Sequence, residues 1–253
     1  MALQEEFEKH GNWLFSYRSY LPLILFVPGI YLFIHKELNP DQFIWEGTNN
    51  ERYYFLFCLL VSLVGLIIRM FTVGYSSKNT SGRNVAGQVA DSINTNGIYS
   101  IVRHPLYLGN FFMWLGPALL NGNVWFITIF CLVYWLYYER IMFSEEQYLR
   151  RKFGEAYLVW SSKVPAFIPA LHGYVSPESR FNWNKVLRNE KNGLIAILII
   201  FCFFDILGEY YHHSNNYNYV LLISTALALF FYLIYKIQKT IKRKSKELMN
   251  PST

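Results

Sequence analysis

Long apolar stretches separated by short polar ones set the pattern of this chain. Six segments of the 253 residues approach the roughly 20 apolar residues that a bilayer span needs, at about 15–35, 53–74, 105–120, 122–138, 193–211 and 218–237. The pattern predicts an all-α integral membrane protein with about six transmembrane helices. The third and fourth segments are short and joined only by Asn121-Gly122-Asn123, a turn-forming trio, so they read as a tight antiparallel hairpin. Residues 1–74 then carry N-terminal membrane helices, and 75–170 a core built on the hairpin 105–138. A polar connection broken by Pro177 fills 171–192, and 193–253 forms a C-terminal pair of helices with a basic tail.

Composition supports the bilayer: 53% of the residues are hydrophobic and 19% aromatic, too apolar for a soluble domain of this size. The charges add an orientation. Of the 23 Lys and Arg residues, all but Lys36, Arg52 and Arg69 fall on the side that would hold both termini, the 75–104 loop and the 139–192 segment. The positive-inside rule puts that side, with both termini, in the cytoplasm. The net charge of +6 follows from this asymmetry and points to lipid headgroups, with no nucleic-acid partner expected, because the basic residues flank spans. Cys58, Cys131 and Cys202 lie apart within apolar segments and form neither a disulfide framework nor a thiolate metal site. Adjacent His212 and His213 lack further ligands, so no metal is expected there.

The chemistry concentrates at two polar clusters bracketing the hairpin. In the first, Pro105 restricts His104 to an extended conformation and suits the first turn of a helix, so a helix starts here. Its N-terminal amides, the helix dipole and the Arg103 guanidinium together favour an anion. The second cluster, Glu139 to Tyr157, carries Glu145, Glu146, Arg150, Arg151 and Lys152. Ser144 with Gln147 fits a capping box, which predicts a separate interfacial helix starting there. If the hairpin helices are antiparallel neighbours, an acid pair, an Arg-His pair and the tyrosines Tyr99 and Tyr107 meet at one membrane level, an arrangement suited to a zwitterion.

The segments GIYSIVRHPLYLGNFFMWLGPAL (97–119) and EEQYLRRKFGEAYLVWSSKVPAFIP (145–169) resemble the two signature regions of the isoprenylcysteine carboxyl methyltransferase and phospholipid methyltransferase superfamily. The resemblance covers roughly residues 90–170. It implies a helical membrane enzyme that takes S-adenosylmethionine from the cytoplasm and methylates a lipid-borne acceptor, with Arg103 and His104 at the reacting centre. By the same resemblance Glu145 matches the cofactor-binding acid, with Glu146 its neighbour. Tyr99, His104, Pro105, Leu106 and Tyr107 match a cofactor-contacting run, preceded by Asp91 and Asn94. The prenylcysteine enzymes carry an arginine a few residues before the acid pair; here the nearest is Arg140, with Ile141 beside it, and Arg140 is the substrate-binding candidate. The polar loop Thr80 to Gln88 resembles a subgroup that methylates the phosphate of lipid A and offers Arg83 to an anionic headgroup.

Methyl transfer to a carboxylate or phosphate needs no base, because the acceptor is already ionised. An amine acceptor, as in phospholipid N-methylation, would need one. The leading expectation is therefore an O-methyl product on a membrane lipid or lipidated acceptor. Two other readings stand beside it. Membrane sterol or enone reductases that use NADPH resemble these methyltransferases in their C-terminal helices, and Arg140, Arg150, Arg151 and Lys152 could meet the extra phosphates. A transport path would call for intramembrane charge, but only Arg69 and Asp205 fall within predicted spans, where Arg69 can snorkel and Asp205 can sit near the interface with Glu209.

Overall fold

A computed structural model describes residues 2–18, 20–39, 49–77, 90–212 and 216–249. Its elements are α1 (Leu3–Tyr17), α2 (Leu21–Leu38), α3 (Asn49–Tyr75), α4 (Pro105–Leu119), α5 (Val124–Phe153), α6 (Glu155–Ser161), α7 (Trp183–His212) and α8 (Tyr219–Met249). The chain divides into two compact units, residues 1–190 and 191–253.

Among the described residues, four helices are long and apolar enough to cross a membrane: α3, α5, α7 and α8 through Ile241. A fifth span is available if α1 and α2, bent by 66°, act as a broken one. The expected first span at 15–35 is thus two helices. Pro22 sits where an N-terminal proline is tolerated at the start of α2, while Pro28 lies inside it. The third expected span, α4, has 15 residues. At 1.5 Å per residue it reaches about 22 Å, short of the roughly 30 Å hydrocarbon core.

Small residues let α3 and α4 pack at backbone distance. A side chain at Gly116 would meet Ser62 and the Cys58 carbonyl, and one at Gly65 would meet the Gly109 carbonyl. Membrane helices associate through such close approach, because lipid supplies no hydrophobic drive between them. Asn121, Gly122 and Asn123 then reverse the chain. Gly122 takes φ 64°, a region open to glycine. The Asn121 carboxamide accepts from the Asn123 amide at 2.9 Å, and that of Asn123 caps α5 by accepting from Phe126 at 2.9 Å.

No new helix begins at Ser144. α5 runs unbroken from Val124 to Phe153, and the buried Ser144 hydroxyl donates back to the Ile141 carbonyl at 3.0 Å. Mid-helix serine commonly bonds its own preceding turn, so the capping-box reading gives way to a continuous helix carrying the acid pair past the apolar segment. α1 braces this extension: Phe7 lies under the Arg140 guanidinium at 3.2 Å, and Arg151 holds the Glu8 carboxylate through two contacts, one at 2.9 Å. α7 likewise begins at Trp183, inside the stretch expected to be a connection. In the second unit, Asp205 and Glu209 accept backbone amides of Asn218 and Asn216 at 3.0 and 2.9 Å, fastening the turn into α8.

Candidate functional site

The backbone around Arg103 and His104 is held by a segment far along the chain. Ala170 donates to the Ile101 carbonyl at 2.9 Å, Arg103 to Pro165 at 2.9 Å and His104 to Ala166 at 3.1 Å. Gly97 donates to the Val175 carbonyl at 2.8 Å. His104 is the N-cap of α4 and Pro105 its first residue, and the Tyr107 and Leu108 amides turn back to the His104 carbonyl. The amides of Arg103, His104, Tyr107 and Leu108 are therefore engaged, and charge recognition rests mainly on side chains.

Those side chains converge. The His104 imidazole bridges the acid pair, with Nε2 at 3.0 Å from Glu146 Oε1 and Nδ1 at 3.6 Å from Glu145 Oε2. The Arg103 Nη2 lies 3.3 Å from the same Glu146 oxygen, while Nη1 donates to the Ser161 carbonyl at 3.3 Å. Two stretches 42 residues apart thus meet at one spot, as antiparallel packing of α4 and α5 requires. Burial pulls the His104 imidazole down, but hydrogen bonds and charge from Glu145 and Glu146 outweigh it and raise its pKa above the ordinary 6.5.

Aromatic side chains wall the cluster. Tyr107 stacks on His104 with ring centroids 5.8 Å apart and leans on Tyr138 at 5.0 Å, while the Tyr134 hydroxyl donates to the Tyr107 carbonyl at 2.8 Å. Pro105 is buried with Tyr107, and Leu106 is half-buried in the same turn. Tyr99 sits in the 3-10 turn Ile98–Ser100 and lines a cleft of about 220 Å³ with Thr72, Tyr75, Asn94, Asn96 and Glu178. Burial raises the Tyr99 hydroxyl well above its ordinary value, the Glu145 charge adds to this, and a hydrogen bond with Asn94 opposes it. Asn94 also accepts from the Ser77 amide at 3.2 Å, and the Lys152 ammonium donates to the Ala90 carbonyl next to exposed Asp91.

Other candidates stand elsewhere. Arg140 is taken up by its stacking on Phe7. Arg83 and the loop Thr80 to Gln88 lie outside the described residues, as does His213. Sequence reasoning also missed a second polar centre. Arg69 does not snorkel: its Nε and Nη2 donate to the Glu190 carboxylate at 2.7 and 2.9 Å, and Nη1 to Asn110 at 2.7 Å. Glu190 is 4% exposed and comes from the first turns of α7, 121 residues away. The one available signal was that an intramembrane arginine needs a partner.

The fold and site define a multi-pass helical membrane protein with an acid–base cluster at the mouth of a short hairpin. Residues 53–156 match the phospholipid methyltransferase family. A protein-S-isoprenylcysteine O-methyltransferase of Schizosaccharomyces pombe is 44% identical over 78 residues, 30% of this chain and 33% of the relative. That of Xenopus laevis is 32% identical over 121 residues, 45% of this chain and 42% of the relative. A cobalt-zinc-cadmium resistance protein of Cupriavidus metallidurans is 27% identical over 152 residues, 60% and 62% of the two chains. The chain therefore spans less than two thirds of the length of these relatives. No solved structure matches it. Through this region the chain is similar to the isoprenylcysteine carboxyl methyltransferases and the phospholipid methyltransferase family.

Proposed function

We propose that this protein transfers a methyl group from S-adenosylmethionine to an anionic oxygen, carboxylate or phosphate, of a membrane lipid or lipidated acceptor, at the cytoplasmic face. The observation that carries this reading is the joining of His104 to Glu146 at 3.0 Å and to Glu145 at 3.6 Å, with Arg103 at 3.3 Å from Glu146. Such a set fits the amino-acid end of S-adenosylmethionine. Its ammonium matches a glutamate and its carboxylate matches Arg103 and His104, each exchanging for a pair already made within the site. The nucleoside end suits the adjacent cleft, where Tyr75 and Tyr99 offer aromatic faces and Asn94, Asn96 and Thr72 offer polar groups.

S-adenosylmethionine, when bound, supplies a methyl carbon on a positively charged sulfur, open to displacement by an oxygen anion. The protein's task is alignment and exclusion of water. Tyr107, Tyr138 and Tyr134 form a dry wall behind His104. His104, held between two carboxylates, is a binding group and not a base, and an ionised acceptor needs none. This favours an O-methyl over an N-methyl product. The names of the isoprenylcysteine relatives suggest a carboxylate on a lipidated cysteine.

Calorimetric titration of the purified protein with S-adenosylmethionine and with NADPH tests the assignment. Binding of the former alone is expected, weakened about tenfold by Glu145→Gln or Glu146→Gln through loss of one charge-assisted bond. Retention of NADPH alone, or unchanged affinity in both variants, would overturn it. The lability of a labelled product formed in lipid extracts separates carboxyl ester, phosphate ester and amine.

A further inference from the structure

Between Lys163 and His172 run eight residues without a polar side chain, Val164-Pro165-Ala166-Phe167-Ile168-Pro169-Ala170-Leu171. They belong to none of the helices long and apolar enough to cross a membrane, and they take an irregular path from the end of α6 to the start of a 3-10 turn at Leu171–Gly173. Ile168 and Leu171 are each 76% exposed. One exposed apolar residue needs no explanation, but an uncharged run that shows its largest aliphatic side chains marks a surface meant for something other than water.

The run joins a surface that already faces lipid. Phe167 packs edge-on against Trp135 of α5, with ring centroids 5.4 Å apart, and against Phe111 of α4 at 6.0 Å. Trp135 is exposed beside Leu132, Leu136 and Ile129 on one flank of α5, a helix able to cross the membrane. Irregular backbone is tolerated at membrane depth only where its polar groups are satisfied. Pro165 and Pro169 carry no N–H, the Pro165 and Ala166 carbonyls accept from Arg103 and His104, and the Ala170 amide donates to Ile101. Eight residues are too few to cross. At ~3.3 Å per extended residue, half of them going in and half returning reach about 13 Å, and exposed Lys163 and His172 bring the chain out on one side.

We propose that residues 164–171 form a membrane-seated hook whose Ile168 and Leu171 lie among the acyl chains of the leaflet next to the site. Because its backbone is bonded to that of Arg103 and His104, the hook fixes both at the boundary between headgroups and hydrocarbon. An acceptor anchored in that leaflet then reaches them without leaving the bilayer, a consequence that rests on the function proposed above; the seating itself does not.

Spin labels on the full chain test the seating. In a background without Cys58, Cys131 and Cys202, a nitroxide is placed at Ile168→Cys or Leu171→Cys, with Leu132→Cys on the α5 flank and exposed Ser162→Cys as the lipid and water references. The protein is reconstituted in phosphatidylcholine vesicles, and collisions with oxygen, which concentrates in hydrocarbon, are compared with those of a water-soluble nickel chelate. Ratios of oxygen to nickel access at Ile168 and Leu171 several-fold above that at Ser162, and near that at Leu132, are expected. A ratio like that of Ser162 at either position would overturn the hook, and so would low access to both reagents, which would mean that protein covers the patch. The parent chain gives a second reading that needs no substitution. In vesicles doped with a phospholipid carrying a diazirine on its acyl chain, light should attach lipid to the peptide between Lys163 and Arg180. Lipid attached to α5 peptides with none on this one would overturn the proposal. Neither reading involves S-adenosylmethionine, so a protein that binds none loses the proposed function and keeps the hook.

Discussion

At the scale of single residues, the site is governed by how many charges one small volume can hold. His104 stands between Glu145 and Glu146, and Arg103 shares an oxygen with it, so protonating the imidazole balances a carboxylate pair. Its pKa is raised by folding, and the sign of the pH effect follows. The contribution to stability is complete below the ordinary value of 6.5 and is lost as pH rises through the raised value in the folded state. Melting temperatures of the protein should therefore fall as pH climbs above neutrality, and this limb should be absent in His104→Gln. A parallel fall in the variant would mean that another group sets it. The partners of His104 were legible in the sequence as residue types suited to a zwitterion. Those of Arg69 were not, because Glu190 lay in a stretch that reads as polar connection, and nothing local marks an acid whose only reason is an arginine across the fold.

At the scale of elements, the position of the acid pair depends on the unbroken course of α5 and on α1 bracing it. Gly11 is buried where α1 meets α5, and a side chain there would strike the Arg140 carbonyl and Ser144. Gly11→Val should push the two helices apart and destabilise the protein by about 1–3 kcal/mol, the usual cost of overpacking. S-adenosylmethionine affinity should drop with it, because Glu145 and Glu146 lie on the next turn. Loss of stability with affinity intact would show that α1 only packs. The start of α4 was legible, since Pro105 suits a first turn, although His104 before it takes φ −118° and ψ 59° and is not extended as its place before a proline predicted. The start of a helix at Ser144 was misread, because Ser-x-x-Gln carries the same letters whether the helix begins there or passes through. Burial of Ser144 against α1 decides between the two.

At the scale of the molecule, the hairpin makes the site independent of how deep α4 reaches. Whether α4 and the apolar part of α5 cross the bilayer or enter and return, both polar ends emerge on the same side. Single-cysteine labelling tests this in a background without Cys58, Cys131 and Cys202. Lys9→Cys and Ser162→Cys, both exposed, should react with an impermeant maleimide from the same side, the cytoplasmic one. Asn39→Cys, at the far end of α2, should react from the other. Labelling of Lys9→Cys and Ser162→Cys from opposite sides would separate the α1 brace from the site and break the arrangement.

The amino-acid sequence by itself determined the membrane class, the hairpin, the turn that closes it and the two polar clusters, because these rest on local quantities: runs of apolar residues, a proline at a helix start, an Asn-Gly-Asn reversal. Only the tertiary structure decided that α5 continues through Ser144, that the Arg103 and His104 amides are spent on Pro165 and Ala166, and that Arg69 finds Glu190. Each of those is a contact between residues distant along the chain, and a side chain's partner at long range is set by packing of whole helices, which leaves no local mark.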